Sequence, residues 1–219
     1  MKLAMTRIWG AAALCLLIIA LLAAQGCGLS RPSRPSVRYY SLDYPTPAAR
    51  EGTPIPAVIR VERFSASPAL SGTAILYSDA PYATRAYSLY RWRSAPADIV
   101  SFFLARDMKA SGLFSAALPY DTRISPTHSL EGRVEEFYEA DRPRGAVSAV
   151  LSVSVTLVRE REPDVTKKIV FQKTYSEVQE ASVNNPQAVA GAMSQAMQRV
   201  SARLMDDVQK ALAKPPAGK

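Results

Sequence analysis

Residues 147–158 alternate with a period of two. Val147, Ala149, Leu151, Val153, Val155 and Leu157 hold one set of positions, and Ser148, Val150, Ser152, Ser154, Thr156 and Val158 hold the other. Successive side chains of a strand point to opposite faces, so the pattern predicts a strand over 146–159 with one apolar face and one mostly small and polar face. Strands over 130–139 and 169–179 flank it, linked by Asp141-Arg142-Pro143-Arg144-Gly145 and by the charged segment 160–168. Links of that length predict hairpins. Upstream, 37–43 and 58–64 have β-rich composition bounded by proline or glycine, and 74–77 and 87–91 read as shorter strands.

Two segments change period from two to 3.6. In the first, Ile99, Phe102, Phe103, Ala110 and Leu113, with Met108 nearby, fall mostly on one stripe. Ser94 is its expected cap, Pro96 belongs in the first turn, Asp98 suits the positive end of the dipole, and Gly112 supplies the stop. The second helix covers 186–213, capped by Asn184 or Asn185, with Val189, Met193, Ala196, Val200, Leu204 and Val208 on its apolar stripe. Hairpin-length links outnumber strand-helix-strand alternations. The expected fold is therefore α+β, an antiparallel or mixed β-sheet with two helices packed on one face.

The N-terminus reads as an export signal. Lys2 and Arg7 precede an uninterrupted apolar run over 8–24, and Ala24-Gln25-Gly26-Cys27 resembles a lipobox, the site at which a lipoprotein is cleaved and acylated on cysteine. A plain transmembrane anchor is the alternative, because the run is just long enough to span a bilayer. The expected organisation is a signal peptide at 1–26, the lipidated Cys27 with a Pro/Ser tether at 27–36, one domain at 37–213, and a tail at 214–219 broken by two prolines. Acyl chains contribute ~0.8 kcal/mol per buried CH₂, so a triacylated Cys27 is a durable membrane anchor. Gly28 follows the cysteine where Asp is the usual inner-membrane retention signal, and this implies an outer-membrane, periplasm-facing location rather than an inner-membrane one.

Composition fits one globular domain: 48% of residues are apolar and 21% are charged. The formal net charge is +8, and the signal segment holds two basic and no acidic residues, which leaves about +6 on the mature chain. Export removes nucleic acid as a partner, and the basic residues are scattered rather than gathered in a tract. Anionic lipid, peptidoglycan or an acidic protein surface fits that charge, and so does a plain solvated surface.

Catalytic chemistry has little to work with. The other cysteine, Cys15, leaves with the signal peptide, so the mature chain has no free thiol and no disulfide. His128 is the sole histidine and is expected in a solvated loop, which leaves a zinc site without its usual ligands and a serine triad without its base. Glu131, Glu135 and Glu139 share a strand face by the two-residue period, together with Glu136 and Asp141, but acids on a wet face account for them. Glycine-rich phosphate loops and nucleophile elbows are missing from the sequence. No enzyme activity, metal or cofactor is expected. Tyr82, Tyr87, Tyr90 and Trp92 offer either a binding surface or strand-edge packing.

Several segments, in order, resemble the ABC-type transport auxiliary lipoproteins, the family that includes the lipoprotein of the paraquat-inducible transport system. They are Arg38-Tyr39-Tyr40-Ser41-Leu42, Ile59-Arg60-Val61-Glu62-Arg63-Phe64 with Pro68-Ala69-Leu70, Ala74-Ile75-Leu76-Tyr77, Tyr90-Arg91-Trp92-Arg93-Ser94-Ala95-Pro96, Leu130-Glu131-Gly132-Arg133-Val134-Glu135-Glu136-Phe137 and the Ala-rich last helix. Ser71-Gly72-Thr73 departs from the polar pair that often follows the Pro-x-Leu element. The resemblance implies a non-catalytic accessory of an ABC transporter that works with a mammalian-cell-entry (MCE) domain protein in moving phospholipid or other hydrophobic molecules across the envelope. It also allows a ring-shaped homo-oligomer. Tyr87, Tyr90 and Trp92 are then candidate partner contacts or fold anchors, and Cys27 is the lipidation site. Two other classes fit a small tethered α+β domain: an envelope-assembly lipoprotein acting on peptidoglycan synthesis or lipopolysaccharide insertion, and a lipid carrier with its own apolar pocket.

Overall fold

The computed structural model describes residues 35–141 and 146–213. The proposed signal peptide, Cys27, nearly all of the tether and the tail lie outside the described residues. Strands β1 (Arg38–Tyr40), β2 (Ile55–Val61), β3 (Ser65–Ala66), β4 (Ala74–Ser78), β5 (Arg85–Trp92), β6 (Phe114–Pro119), β7 (His128–Asp141), β8 (Val147–Arg159) and β9 (Ile169–Glu180) form one mixed sheet. The helices are α1 (Pro96–Ser111), the short α2 (Val165–Lys168) and α3 (Pro186–Ala213). This is an α+β fold.

β7, β8 and β9 make the expected pair of antiparallel hairpins. Ala149, Leu151, Val153, Val155 and Leu157 of β8 are no more than 1% exposed, and each large side chain among them contributes about 1.5–3 kcal/mol by leaving water. They face α3, whose stripe of Val189, Met193, Ala196, Val200, Leu204 and Val208 is buried throughout. Asn185 is the cap of that helix: its Oδ1 accepts from the Ala188 amide at 2.8 Å. α1 and α3 touch each other and both touch β2, so they share one face of the sheet.

The other edge of β7 carries two arms. β2 pairs with β7 at Leu130 and is extended by β6, all three running parallel. β4 pairs with β7 at Glu139 and is extended by β5 and then β1, which run opposite to β7. Parallel partners are therefore more common than the hairpin reading implied. Their strands are distant in sequence, and no turn between them announces the pairing.

Several local expectations need correction. α1 is capped by Ala95, not Ser94, and makes no side-chain cap bond. Pro96 occupies the first helical position and holds the residue before it in an extended conformation, so Ser94 falls one position too early. β6 and β3 were not anticipated, since Phe114–Pro119 is rich in Ser and Ala and β3 has two residues. β1 ends at Tyr40 rather than 43, because the chain leaves the sheet to cross the helices. Along that crossing the Asp43 amide donates to Ser194 Oγ at 2.9 Å, and the Arg50 amide donates to the Ser111 carbonyl, also at 2.9 Å. Gly112 ends α1 as expected, with φ +64° in the left-handed region.

Candidate functional site: a groove between two sheet arms

The carboxyl ends of β2 and β6 point toward those of β5 and β1 across the middle of β7. The ends do not meet. α1 lies over the gap, and between them remains a groove of about 720 Å³ with Leu42, Val61, Ile99, Phe103 and Pro119 among its walls. Phe102 and Tyr120 are on its rim, 64% and 51% exposed. Phe102 was expected on the buried stripe and is not there. At 3.6 residues per turn it stands roughly 160° from Leu104, the fully buried centre of the stripe, so the helix turns it outward. Its ring meets that of Phe103 edge-on, with centroids 5.4 Å apart.

Four charged side chains line the same groove: Arg63, Arg93, Asp98 and Asp121. Arg63 Nε donates to Asp98 Oδ1 at 2.7 Å, and that bond holds the guanidinium above its usual pKa. Below the groove the crossing segment is locked to α1. The Tyr44 hydroxyl donates to Asp107 Oδ2 at 2.8 Å, and the Arg106 guanidinium lies against both the Tyr44 and Phe103 rings, 4.3 and 4.5 Å from their centroids.

Of the aromatic residues singled out in the sequence, Tyr87 and Tyr90 belong to a second feature, whereas Tyr82 stands fully exposed. Tyr77, Tyr87, Tyr90 and Tyr40 make a strip across β4, β5 and β1, with successive ring centroids 4.6, 5.3 and 6.1 Å apart. Tyr87 and Tyr90 are three residues apart yet in ring contact, because the β4–β5 register slips between Ala74 and Leu76. Both are half-buried. Trp92 is 1% exposed and packs edge-on against Phe137 at 5.2 Å, inside the core.

Glu139 closes the strip, contrary to its expected place on the wet face with Glu131 and Glu135. Those two are exposed, but a bulge in β7 between Val134 and Glu136 inverts the alternation, and Glu139 points inward at 2% exposure. The Tyr87 hydroxyl donates to its Oε1 at 3.1 Å. Burial raises the Glu139 pKa, and burial followed by the neighbouring Glu139 charge raises that of Tyr87.

His128 is likewise not a solvated loop residue. It opens β7, half-buried, with Nδ1 at 2.9 Å from Thr127 Oγ1, and burial lowers its pKa. Among the described residues no three His, Cys, Asp or Glu side chains are placed to hold a metal, and no described helix is long and apolar enough to cross a membrane.

Comparison with known proteins decides the family. The ABC-type transport auxiliary lipoprotein component family matches residues 40–205, which spans every strand from β2 to β9 and all but the last turns of α3. The chain belongs to that family. No curated protein sequence matches the chain. Among solved structures this auxiliary-lipoprotein domain is similar to protein XCC0632 from Xanthomonas campestris, with a TM-score of 0.70 and 18% identity over 80% of this chain and 96% of that one. It is similar also to an uncharacterized protein, at a TM-score of 0.62 and 14% identity over 79% of this chain and 99% of the other. Hypothetical protein CT253 from Chlamydia trachomatis follows at 0.51 and 11%, over 72% and 98%. At these identities the likeness is one of fold.

The groove itself was not legible in the sequence. Leu42, Arg63, Arg93, Phe102 and Tyr120 come from five separate segments, and only the convergence of the two arms brings them together.

Proposed function

We propose that the chain is an outer-membrane lipoprotein, anchored through acylated Cys27 and a tether at 27–36, whose domain at 37–213 serves an ABC transporter and an MCE-domain protein as a non-catalytic periplasmic accessory. Its cargo on this reading is phospholipid or another hydrophobic molecule. The observation that carries the proposal is the family match over 40–205, beginning a short tether's length after the lipobox cysteine. The half-buried Tyr87 and Tyr90 are the proposed partner contacts, since tyrosine brings large contact area at low rotamer cost. Trp92 is the proposed anchor beneath them.

The test has two steps. The intact mass of the membrane-extracted protein is expected to equal residues 27–219 plus lipid, and Cys27→Ser to abolish that species. Affinity capture of the wild type from gently solubilised membranes is then expected to bring down an MCE-domain protein, and Tyr87→Ala with Tyr90→Ala to weaken its recovery. An unprocessed full-length mass in both proteins overturns the anchor. Capture of a peptidoglycan synthase or an outer-membrane barrel in place of the transport proteins overturns the partner assignment.

A further inference from the structure

We propose that the groove between the two arms binds one zwitterionic phospholipid of the phosphatidylethanolamine kind, with an acyl chain along the trough and the headgroup between Arg93 and Asp121. This deepens the transport reading and rests on it for the source of the lipid.

The trough supplies the apolar half. Leu42, Val61, Ile99, Phe103 and Pro119 line it, and exposed aromatic rings, Phe102 from α1 and Tyr120 from the end of β6, stand at its rim. In an otherwise buried set of large apolar side chains on α1, Phe102 is left in water, and an occupant of the groove would cover it. A volume of about 720 Å³ lies within the range of small-molecule sites.

Charge selects the headgroup. The groove carries two arginines and two aspartates, and Asp98 is already bonded to Arg63 at 2.7 Å. Arg93 follows β5 on one arm and Asp121 follows β6 on the other, and among the described residues neither side chain makes an ion pair or hydrogen bond. One unpaired charge of each sign complements a zwitterion, phosphate toward Arg93 and ammonium toward Asp121. A fatty acid or phosphatidylglycerol pairs with Arg93 and leaves Asp121 without a partner. A basic peptide leaves Arg93 in the same position.

The experiment uses the full-length protein in intact cells, with p-benzoylphenylalanine replacing Phe102 in one sample and Val165, an exposed residue of α2 away from the groove, in another. After irradiation and purification, the intact mass is expected to show a phosphatidylethanolamine adduct at position 102 and little at 165. Arg93→Glu is expected to lower the adduct yield about tenfold, the loss of a charge-assisted contact, and Arg93→Gln to lower it less. Equal lipid adducts at 102 and 165 indicate mere nearness to a bilayer and overturn the proposal, as does a protein adduct at 102, a purely anionic lipid adduct, or no adduct. A phosphatidylethanolamine adduct without co-isolated transport proteins keeps the groove and removes the transport reading. Co-isolated transport proteins with no lipid at 102 do the reverse.

Discussion

The Tyr87 hydroxyl holds Oε1 of Glu139 at 3.1 Å, while Oε2 of the same carboxyl, inside the fold, has no hydrogen-bond partner. A buried carboxylate oxygen left without a donor destabilises the ionised form, and this is why burial raises the Glu139 pKa. Between the ordinary glutamate pKa of about 4.3 and the raised native value, the native state binds more protons than the unfolded one. Stability conferred on the neutral carboxyl is therefore present at low pH and is lost as pH rises through that window.

Glu139→Gln removes the titration and keeps an acceptor for Tyr87. Thermal unfolding of wild type and variant is expected to give similar midpoints near pH 4. The variant is expected to gain steadily on the wild type as pH rises to neutrality. A difference that does not change with pH would mean that Glu139 is solvated in solution.

At Gly132 the backbone of β7 comes close against a core side chain. A Cβ at this position would overlap three atoms of the Phe64 ring, which is 3% exposed. The ring has no room to retreat in a close-packed interior. Gly132→Ala is expected to destabilise the domain by about 1–3 kcal/mol, the usual cost of overpacking, and Phe64→Leu combined with it to recover part of the loss. Denaturant unfolding of the single and double variants checks both statements.

Asn185 offers a smaller and more local test. Its Oδ1 accepts the Ala188 amide at the start of a 28-residue helix. Asn185→Ala is expected to cost about 1 kcal/mol and Asn185→Gly only a few tenths, measured by the same unfolding curves.

The parts of this fold that the sequence makes legible are those whose information is local. Leu151 and Val153 announce the inner face of β8 because alternation is a property of neighbouring residues, and Met193 and Val200 announce the face of α3 for the same reason. Glu139 defeats this reasoning. One bulged residue inverts every later position of β7, and Gly132, two residues before Val134, hints at an irregular strand without locating the bulge. Phe102 fails differently: it stands nearly opposite Leu104 on the helix, and its apolar side chain alone suggests the core. β6 is held by its parallel pairing with β2, more than fifty residues upstream, rather than by its own composition. The groove draws on Phe102 and on the end of β6, so it emerges only from the assembled arms.

Tyr44 and Asp107 make the most demanding test of how the groove is built. Leu42, two residues before Tyr44, lines the groove, and Phe103 lines it from the helix that carries Asp107. Asp107 is 1% exposed, and its carboxylate is satisfied from both sides: Tyr44 donates to Oδ2 at 2.8 Å and Arg106 Nε donates to Oδ1 at 2.9 Å. Stacking of the Tyr44 and Phe103 rings at 5.0 Å keeps the segment in register with the helix. Tyr44→Phe retains the ring and deletes only the hydroxyl, leaving a buried carboxylate oxygen one donor short. That is expected to cost about 1–3 kcal/mol of global stability, with faster hydrogen exchange at the Asp43 and Arg50 amides that tie the segment to the helices. Asp107→Asn in the Tyr44→Phe background replaces the carboxylate whose oxygen lost its donor but gives up the Arg106 ion pair, so it is expected to cost less than it does in the wild type. Two additive losses in the double variant would mean that Tyr44 and Asp107 act independently, and that the crossing segment is held by apolar packing alone.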